Sequence, residues 1–267
     1  MFQTIGFLGC GNMGGAIARA VCKAVDPASV LLANRTPEKA EKLAAELGCN
    51  TAANAEVAAR CALIFLAVKP QMMAELLEPL RPVLAARKDR FVLCTMAAGL
   101  PIRRIQELAG GAYPTVRIMP NTPASVGEGM IQYCTCGVRT EEEAAFCAAL
   151  AHAGRVDAID EGLIDAASCV SGCGPAWVYQ FIEALADGGV KEGLPRDQAY
   201  IFAAQTVFGS AKMVLDTGKH PGVLKDMVCS PAGTTIAAVA ELERYAFRNA
   251  VIEAVHACAE RSREMGK

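Results

Sequence analysis

The stretch TIGFLGCGNMGGAIARAV (residues 4–21) decides the fold. Five residues of strand-like character end in Gly9-Cys10-Gly11-Asn12-Met13-Gly14, and a helical apolar pattern follows at once. A lone G-x-G-x-x-G is a weak signal. Placed between a strand and a helix it reads as a dinucleotide-binding turn. Gly9 permits the tight turn, Gly11 lets a pyrophosphate approach the backbone, and Gly14 lets the helix pack on the strand. The helix N-terminus then faces the phosphate charge.

Working outward, residues 30–34 (VLLAN) form a second strand. A helix follows over TPEKAEKLAAELG, with Thr36 as N-cap and Pro37 at its first position. Residues 62–70 (ALIFLAVKP) and 91–99 (FVLCTMAAG) are short apolar strands, with helical segments QMMAELLEPLRPVL and IRRIQELAG after them. YPTVRIMPNTPASVGEG adds a strand and a Pro/Gly-rich loop. This alternation predicts an α/β fold whose N-terminal part is a Rossmann-like, mostly parallel sheet. Beyond residue 158 strands cease, and long segments carry apolar residues at i, i+3, i+4 and i+7. The expected division is residues 1–158, a dinucleotide-binding Rossmann domain, and residues 159–267, an all-α domain. The helices are apolar on more than one face, which suits a subunit interface; a compact monomeric bundle is the plainer alternative.

Of the 267 residues, 53% are hydrophobic and 20% charged, and the net charge is −2. A sizeable core is expected, and nothing basic marks a nucleic-acid or anionic-membrane partner. No apolar run nears the roughly 20 residues of a membrane span. MFQTIGFLGCG reads as a first strand and not as a signal peptide. A cytoplasmic enzyme is expected. The 12 cysteines are scattered, without a C-x-x-C pair, and the 3 histidines are far apart. They read as reduced thiols, and no metal site is expected.

The second strand ends Asn34-Arg35-Thr36, where an NAD-binding chain carries a carboxylate for the ribose hydroxyls. With Arg35 able to pair with phosphate, NADPH is expected over NADH, NADH remaining the less preferred cofactor. The plainer alternative leaves Arg35 as surface charge. Small residues at the ends of later strands, Ala67, Val68, Ala97 and Ala98, leave room for a nicotinamide ring. Lys69 stands there as a strand-end cation or as an exposed lysine beside Pro70.

Near the far end, VCSPAGTTIAAVAELE (228–243) starts a helix with more small polar residues than one cap needs. Together with FLGCGNMGGAIA, FLAVKP, MPNTPA and SGCGPAWVYQFIEALADGGVKEGLPR it resembles the pyrroline-5-carboxylate reductase family. The matching blocks run from residue 7 to 243, and the block HPGVLKDMVCSPAGTTIAAVAELE is the most specific of them. The resemblance implies NAD(P)H-dependent reduction of 1-pyrroline-5-carboxylate to L-proline, the last step of proline biosynthesis. It also implies a homodimer interlocked through the helical domain, and in many members a decamer of five dimers.

By position, the resemblance assigns Leu8, Gly9, Cys10, Gly11, Asn12 and Met13 to the pyrophosphate, and Asn34, Arg35 and Asn54 to the adenosine end. Ala67, Val68, Lys69, Ala97, Ala98 and Asn121 fall on the nicotinamide side. Gly233, Thr234 and Thr235 hold substrate, with Glu161 at its end of the site, and Ser230 and Thr235 are the groups at the reacting ring. Consecutive backbone N–H groups at Ala232–Thr235 suit a carboxylate. Thr235 either positions the ring nitrogen or donates its proton; simple helix capping is the bland alternative. Three positions depart from the family pattern: Met227 replaces an asparagine, Cys173 a serine, and Trp177 a smaller aromatic. Cys10 and Cys229 flank site residues, where oxidation would inactivate.

Two rival readings share the architecture. A related imine or β-hydroxyacid reductase is one, although AWVYQFIEALAD lacks the lysine that β-hydroxyacid dehydrogenases use as acid. A non-catalytic NADP-binding protein is the other.

Overall fold

The computed structural model describes residues 2–265. It contains one eight-stranded sheet in the order β3-β2-β1-β4-β5-β6-β7-β8. The strands are β1 (Ile5–Leu8), β2 (Val30–Ala33), β3 (Asn50–Thr51), β4 (Leu63–Leu66), β5 (Val92–Thr95), β6 (Thr115–Met119), β7 (Gly129–Cys136) and β8 (Gly154–Ala158). The first six are parallel, β7 runs antiparallel to β6, and β8 is parallel to β7. Crossover helices cover both faces: α1 (Asn12–Ala24), α2 (Pro37–Leu47), α3 (Asn54–Arg60), α4 (Met73–Leu77), α5 (Arg81–Ala86), α6 (Ile102–Ala109) and α7 (Thr140–Ala149).

β1, β2, β4 and β5 are each four residues long and buried at every position, because helices lie on both sides. One core layer joins Ile17, Val21, Leu43 and Phe146 to the sheet; the other joins Val57, Met73, Leu80 and Ile105. Phe7 and Phe65 stack at 4.5 Å across β1 and β4. The helix expected over residues 71–84 is broken into short pieces, since Pro79 and Pro82 each remove a backbone donor. β7, α7 and β8 lie beyond the strands that the apolar runs mark.

The remaining helices are α8 (Ile164–Ser171), α9 (Gly174–Lys191), α10 (Arg196–Thr217), α11 (Pro221–Val228), α12 (Thr234–Arg244) and α13 (Phe247–Met265). Contacts divide the chain into two compact units, one of residues 2–173 with 261–265 and one of Gly174–Glu260, so that the first break falls between Cys173 and Gly174. The change from strands to helices at residues 158–159 and this break in packing are therefore 15 residues apart. α8 stays with the sheet because its residues are tied there. Asp165 Oδ1 accepts from Arg117 at 2.6 Å, and the Ser171 carbonyl accepts from Asn121 at 3.0 Å.

The second unit, Gly174–Glu260, is held by α9 against α10, where Ala186, Ala199 and Ala203 are buried. Small residues let these two helices approach closely. Most of its large apolar side chains stay in solvent: Ile201 is 65% exposed, Leu215 68% and Ile252 63%. No helix among the described residues is long and apolar enough to cross a membrane.

Candidate active site

Register places the carboxyl ends of four parallel strands side by side: Leu8 pairs with Ala33 and with Leu66, and Leu66 with Thr95. Leu8–Met13, Asn34, Arg35, Ala67, Val68, Lys69, Ala97 and Ala98 are the residues that end these strands or follow them directly. The structure thus gathers most of the nucleotide residues expected from sequence along one edge of the first unit. Asn54 joins them through a hollow of about 570 Å³, lined also by Asn34, Arg35, Pro37 and Thr51.

The glycine turn fits a nucleotide by its geometry. Gly9 has φ +114°, and a Cβ there would stand 2.5 Å from the Ala67 carbonyl oxygen. A Cβ on Gly14 would strike the Gly9 carbonyl oxygen and come within 2.9 Å of the Ala67 Cβ. At Gly11 the space beyond the backbone is open for 4 Å. Gly11 caps α1 from an extended conformation (φ −71°, ψ −172°), and no side chain caps the helix. The first N–H groups of α1 are left for an anion. No carboxylate ends β2, where Asn34 and exposed Arg35 stand instead. These features fit NADP(H): an open main-chain cradle for the pyrophosphate and a cation at the adenosine end.

Cys10, within the turn, is half-buried, and burial, with a smaller push from Cys49, raises its thiol to about 11. It is a thiol and not a thiolate at neutral pH. Ala97 is buried and its N–H donates to Thr95 Oγ1 at 3.3 Å, which fixes the end of β5; Ala98 and Lys69 are exposed.

Asn121 is only 7% exposed. Its Oδ1 accepts from the Met130 N–H at 3.0 Å and its Nδ2 donates to the Ser171 carbonyl. Its amide thus ties the MPNTPA loop to β7 and α8. Glu161 is similarly committed: Oε1 accepts from the Ile102 N–H at 2.7 Å, capping α6, and lies 3.6 Å from Arg117. Both residues hold the frame around the strand ends.

Arg117 stands outside every motif that marks the site. It is 2% exposed on β6, with Asp165 and Glu161 as its ion partners. An arginine inside the apolar run TVRIM was the available signal, because a buried cation requires partners.

In the second unit Ser230, Gly233, Thr234 and Thr235 stand together at the start of α12. Gly233 caps the helix in an extended conformation (φ −78°, ψ 169°), again with no side-chain cap bond. Simple capping therefore leaves Thr234 and Thr235 unexplained. Ahead of the cap, the Gly233 N–H donates to the Ser230 carbonyl at 3.0 Å, closing a β-turn over Pro231 and Ala232. Ala232 has φ +56°, a left-handed conformation that costs a non-glycine residue about 1–2 kcal/mol. The Gly233 N–H is thus taken by the turn, and the N–H groups of Thr234 and Thr235 follow it at the start of the helix. Thr234 and Thr235 are exposed, as are Met227 and Cys173, while Trp177 is half-buried. Among the described residues no group of three or more His, Cys, Asp or Glu could hold a metal ion.

Residues 161–265 match the family model described as pyrroline-5-carboxylate reductase dimerisation. Residues 4–98 match the model described as NADP oxidoreductase, coenzyme F420-dependent. Over its whole length the chain is 44% identical to pyrroline-5-carboxylate reductase of Escherichia coli K12, covering 100% of both. It is 41% identical to the pea (Pisum sativum) enzyme of that name, covering 98% of this chain and 96% of that one. Among solved structures, the Coxiella burnetii pyrroline-5-carboxylate reductase superposes with TM-score 0.91 at 30% identity, covering 99% of each chain. The Plasmodium falciparum enzyme, solved with NADP bound, gives TM-score 0.84 at 33% identity over 99% of this chain and 98% of that one.

Proposed function

The chain belongs to the pyrroline-5-carboxylate reductase family, and from that premise we propose how its residues divide the reaction. It is an NAD(P)-dependent oxidoreductase that uses NADPH to reduce 1-pyrroline-5-carboxylate to L-proline, the closing step of proline biosynthesis. NADPH supplies a hydride to the imine carbon. The C=N bond becomes a single bond and the ring nitrogen gains one proton.

The glycine turn Gly9–Gly14 and the start of α1 hold the pyrophosphate, and Arg35 faces the 2′-phosphate, with Asn34 and Asn54 beside the adenosine. Ala67, Val68, Lys69, Ala97 and Ala98 form the nicotinamide side. Asn121 and Glu161 support that site through the bonds described above, and each keeps hydrogen-bonding capacity for a ligand.

In the second unit the substrate carboxylate takes the N–H groups of Thr234 and Thr235, and Ser230 and Thr235 offer hydroxyls to the ring. One observation carries this: α12 begins with open N–H groups, no side-chain cap and two exposed threonines. Thr235 positions the ring nitrogen, and water supplies the proton, because a threonine hydroxyl is a poor acid at neutral pH.

The protein is a homo-oligomer. A homodimer formed through α9–α13 is the assembly we favour, supported by the apolar side chains left in solvent there and by the dimerisation model. A decamer is the larger form that the resemblance implies, and sedimentation separates the two. The abundance of thiols suits the cytoplasm.

The direct test mixes protein, NADPH and pyrroline-5-carboxylate and follows loss of reduced-nicotinamide absorbance, then repeats with NADH. Turnover faster with NADPH supports the reading. Tight NADPH binding without turnover would leave a nucleotide-binding protein in its place.

A further inference from the structure

Asn34 stands one residue beyond β2, and its side-chain amide points two ways. Its Oδ1 accepts the Cys10 N–H at 3.0 Å, and its Nδ2 donates to the Thr36 carbonyl at 2.9 Å. The first bond reaches across 24 positions in sequence into the glycine turn. Beside it the Gly9 N–H donates to the Ala33 carbonyl at 2.8 Å. Two consecutive N–H groups of the turn are thus fastened to the end of β2, one by main chain and one by Asn34.

Gly9 and Gly11 have no side chains with which to hold this turn, and glycine is the residue whose backbone loses most freedom on ordering. The brace must come from outside. The other end of the amide restrains the segment Asn34-Arg35-Thr36, which carries Arg35, a cation lining the hollow at the adenosine end. A single side chain therefore fixes both the pyrophosphate turn and the Arg35 segment. Aspartate, the residue of NAD-type sites, could accept from Cys10 but could not donate to Thr36.

We propose that Asn34 is a positioning residue that braces the glycine turn against the Arg35 segment, and that it acts on the part of the cofactor which NADPH and NADH share. This rests on the reading that the first unit binds nicotinamide dinucleotides. The discriminating fact is chemical: both cofactors carry the pyrophosphate, and only NADPH carries the 2′-phosphate. A residue that touches the 2′-phosphate matters for NADPH alone; one that shapes the turn matters for both.

The experiment measures dissociation constants of NADPH and NADH, without substrate, from reduced-nicotinamide fluorescence in the full-length protein. Wild type tests the underlying reading, since absence of binding by either cofactor would remove it. Asn34→Ala is expected to weaken both cofactors, NADH about tenfold, as for loss of one part-buried hydrogen bond at the turn, and NADPH by at least that factor because the Arg35 segment is loosened too. Arg35→Ala is expected to weaken NADPH and leave NADH unchanged. Hydrogen exchange at the Cys10 amide is expected to speed up in ligand-free Asn34→Ala. If Asn34→Ala does not fold, Asn34→Ser, whose oxygen sits one bond closer to the backbone than the amide oxygen that meets the Cys10 N–H, takes its place with the same weakening of both cofactors expected. Weakening of NADPH with NADH untouched would overturn the proposal, as would unchanged affinity for both or unchanged exchange at Cys10.

Discussion

Two helices in this chain begin in nearly the same way. α1 starts from Gly11 and α12 from Gly233, both extended, both without a side-chain cap. Each leaves N–H groups open, and in the proposed division of the reaction each serves an anion: a pyrophosphate in one, a substrate carboxylate in the other. Their surroundings differ. The turn before α1 is built from glycines, lies against buried strands and is braced by Asn34. The turn before α12 relies on Pro231 and a left-handed Ala232 and stands in solvent. Packing holds the first in place; local backbone geometry holds the second. Mutations in the first should thus cost fold and nucleotide together, and mutations in the second should cost the reaction alone.

The strongest test of that contrast is Gly14→Ala. The new Cβ meets main chain at Gly9, which cannot swing aside as a side-chain tip can. Overpacking of this kind costs about 1–3 kcal/mol, and α1 must shift off the turn. Thermal unfolding should come several degrees lower, with NADPH affinity reduced about 100-fold or more. An unchanged melting temperature would break the comparison.

Thr235→Ala comes next. As a positioner Thr235 contributes one hydrogen bond, so kcat should fall about 10- to 100-fold with NADPH affinity and melting temperature intact. A loss well beyond 100-fold in a folded protein would make it the proton donor instead. Gly233→Ala should be milder. Its Cβ meets the Ser230 hydroxyl, which can rotate away. Steady-state kinetics should show KM for the substrate raised about tenfold at unchanged NADPH affinity, the worth of one displaced hydrogen bond.

The smallest effect is expected at Ala232→Gly. Relief of the left-handed Cβ and the entropy of a new glycine oppose each other, leaving stability within about 1 kcal/mol by denaturant titration. Ala232→Val, β-branched at the same φ, should cost more than the glycine variant. On the nucleotide side, Cys10 should resist alkylation at pH 7.5, because its thiolate forms only towards pH 11. Its labelling rate should climb only as the pH nears 11, as mass spectrometry of the labelled peptide would show.

Much of this was legible because the sequence states it locally. A strand of apolar residues, three spaced glycines and a helical period suffice to place β1, the turn and α1. The long helices α9, α10 and α13 follow their apolar spacing closely. β8 was not legible, since GRVDA is a half-exposed strand at the edge of the sheet and carries no apolar run. β7 follows a loop rich in Pro and Gly and mixes Gln132 and Thr135 into its length, so its pairing is set by β6 and not by its own pattern. The roles of Asn34, Asn121 and Glu161 were half legible. Their positions came from motif matching, but their bonds reach 24 to 59 residues along the chain, and no local pattern encodes such partners.

The charged residues on β8 carry a last consequence. A sheet that ends in an open strand invites a second copy to add its own strand. Here the outermost strand bears Arg155 and Asp157, paired at 2.8 Å, and the opposite border, β3, is only two residues long. Neither border offers a long, apolar template. Strand-by-strand growth into fibres is discouraged at both ends, and self-association is left to the helices, where the sticky surface lies.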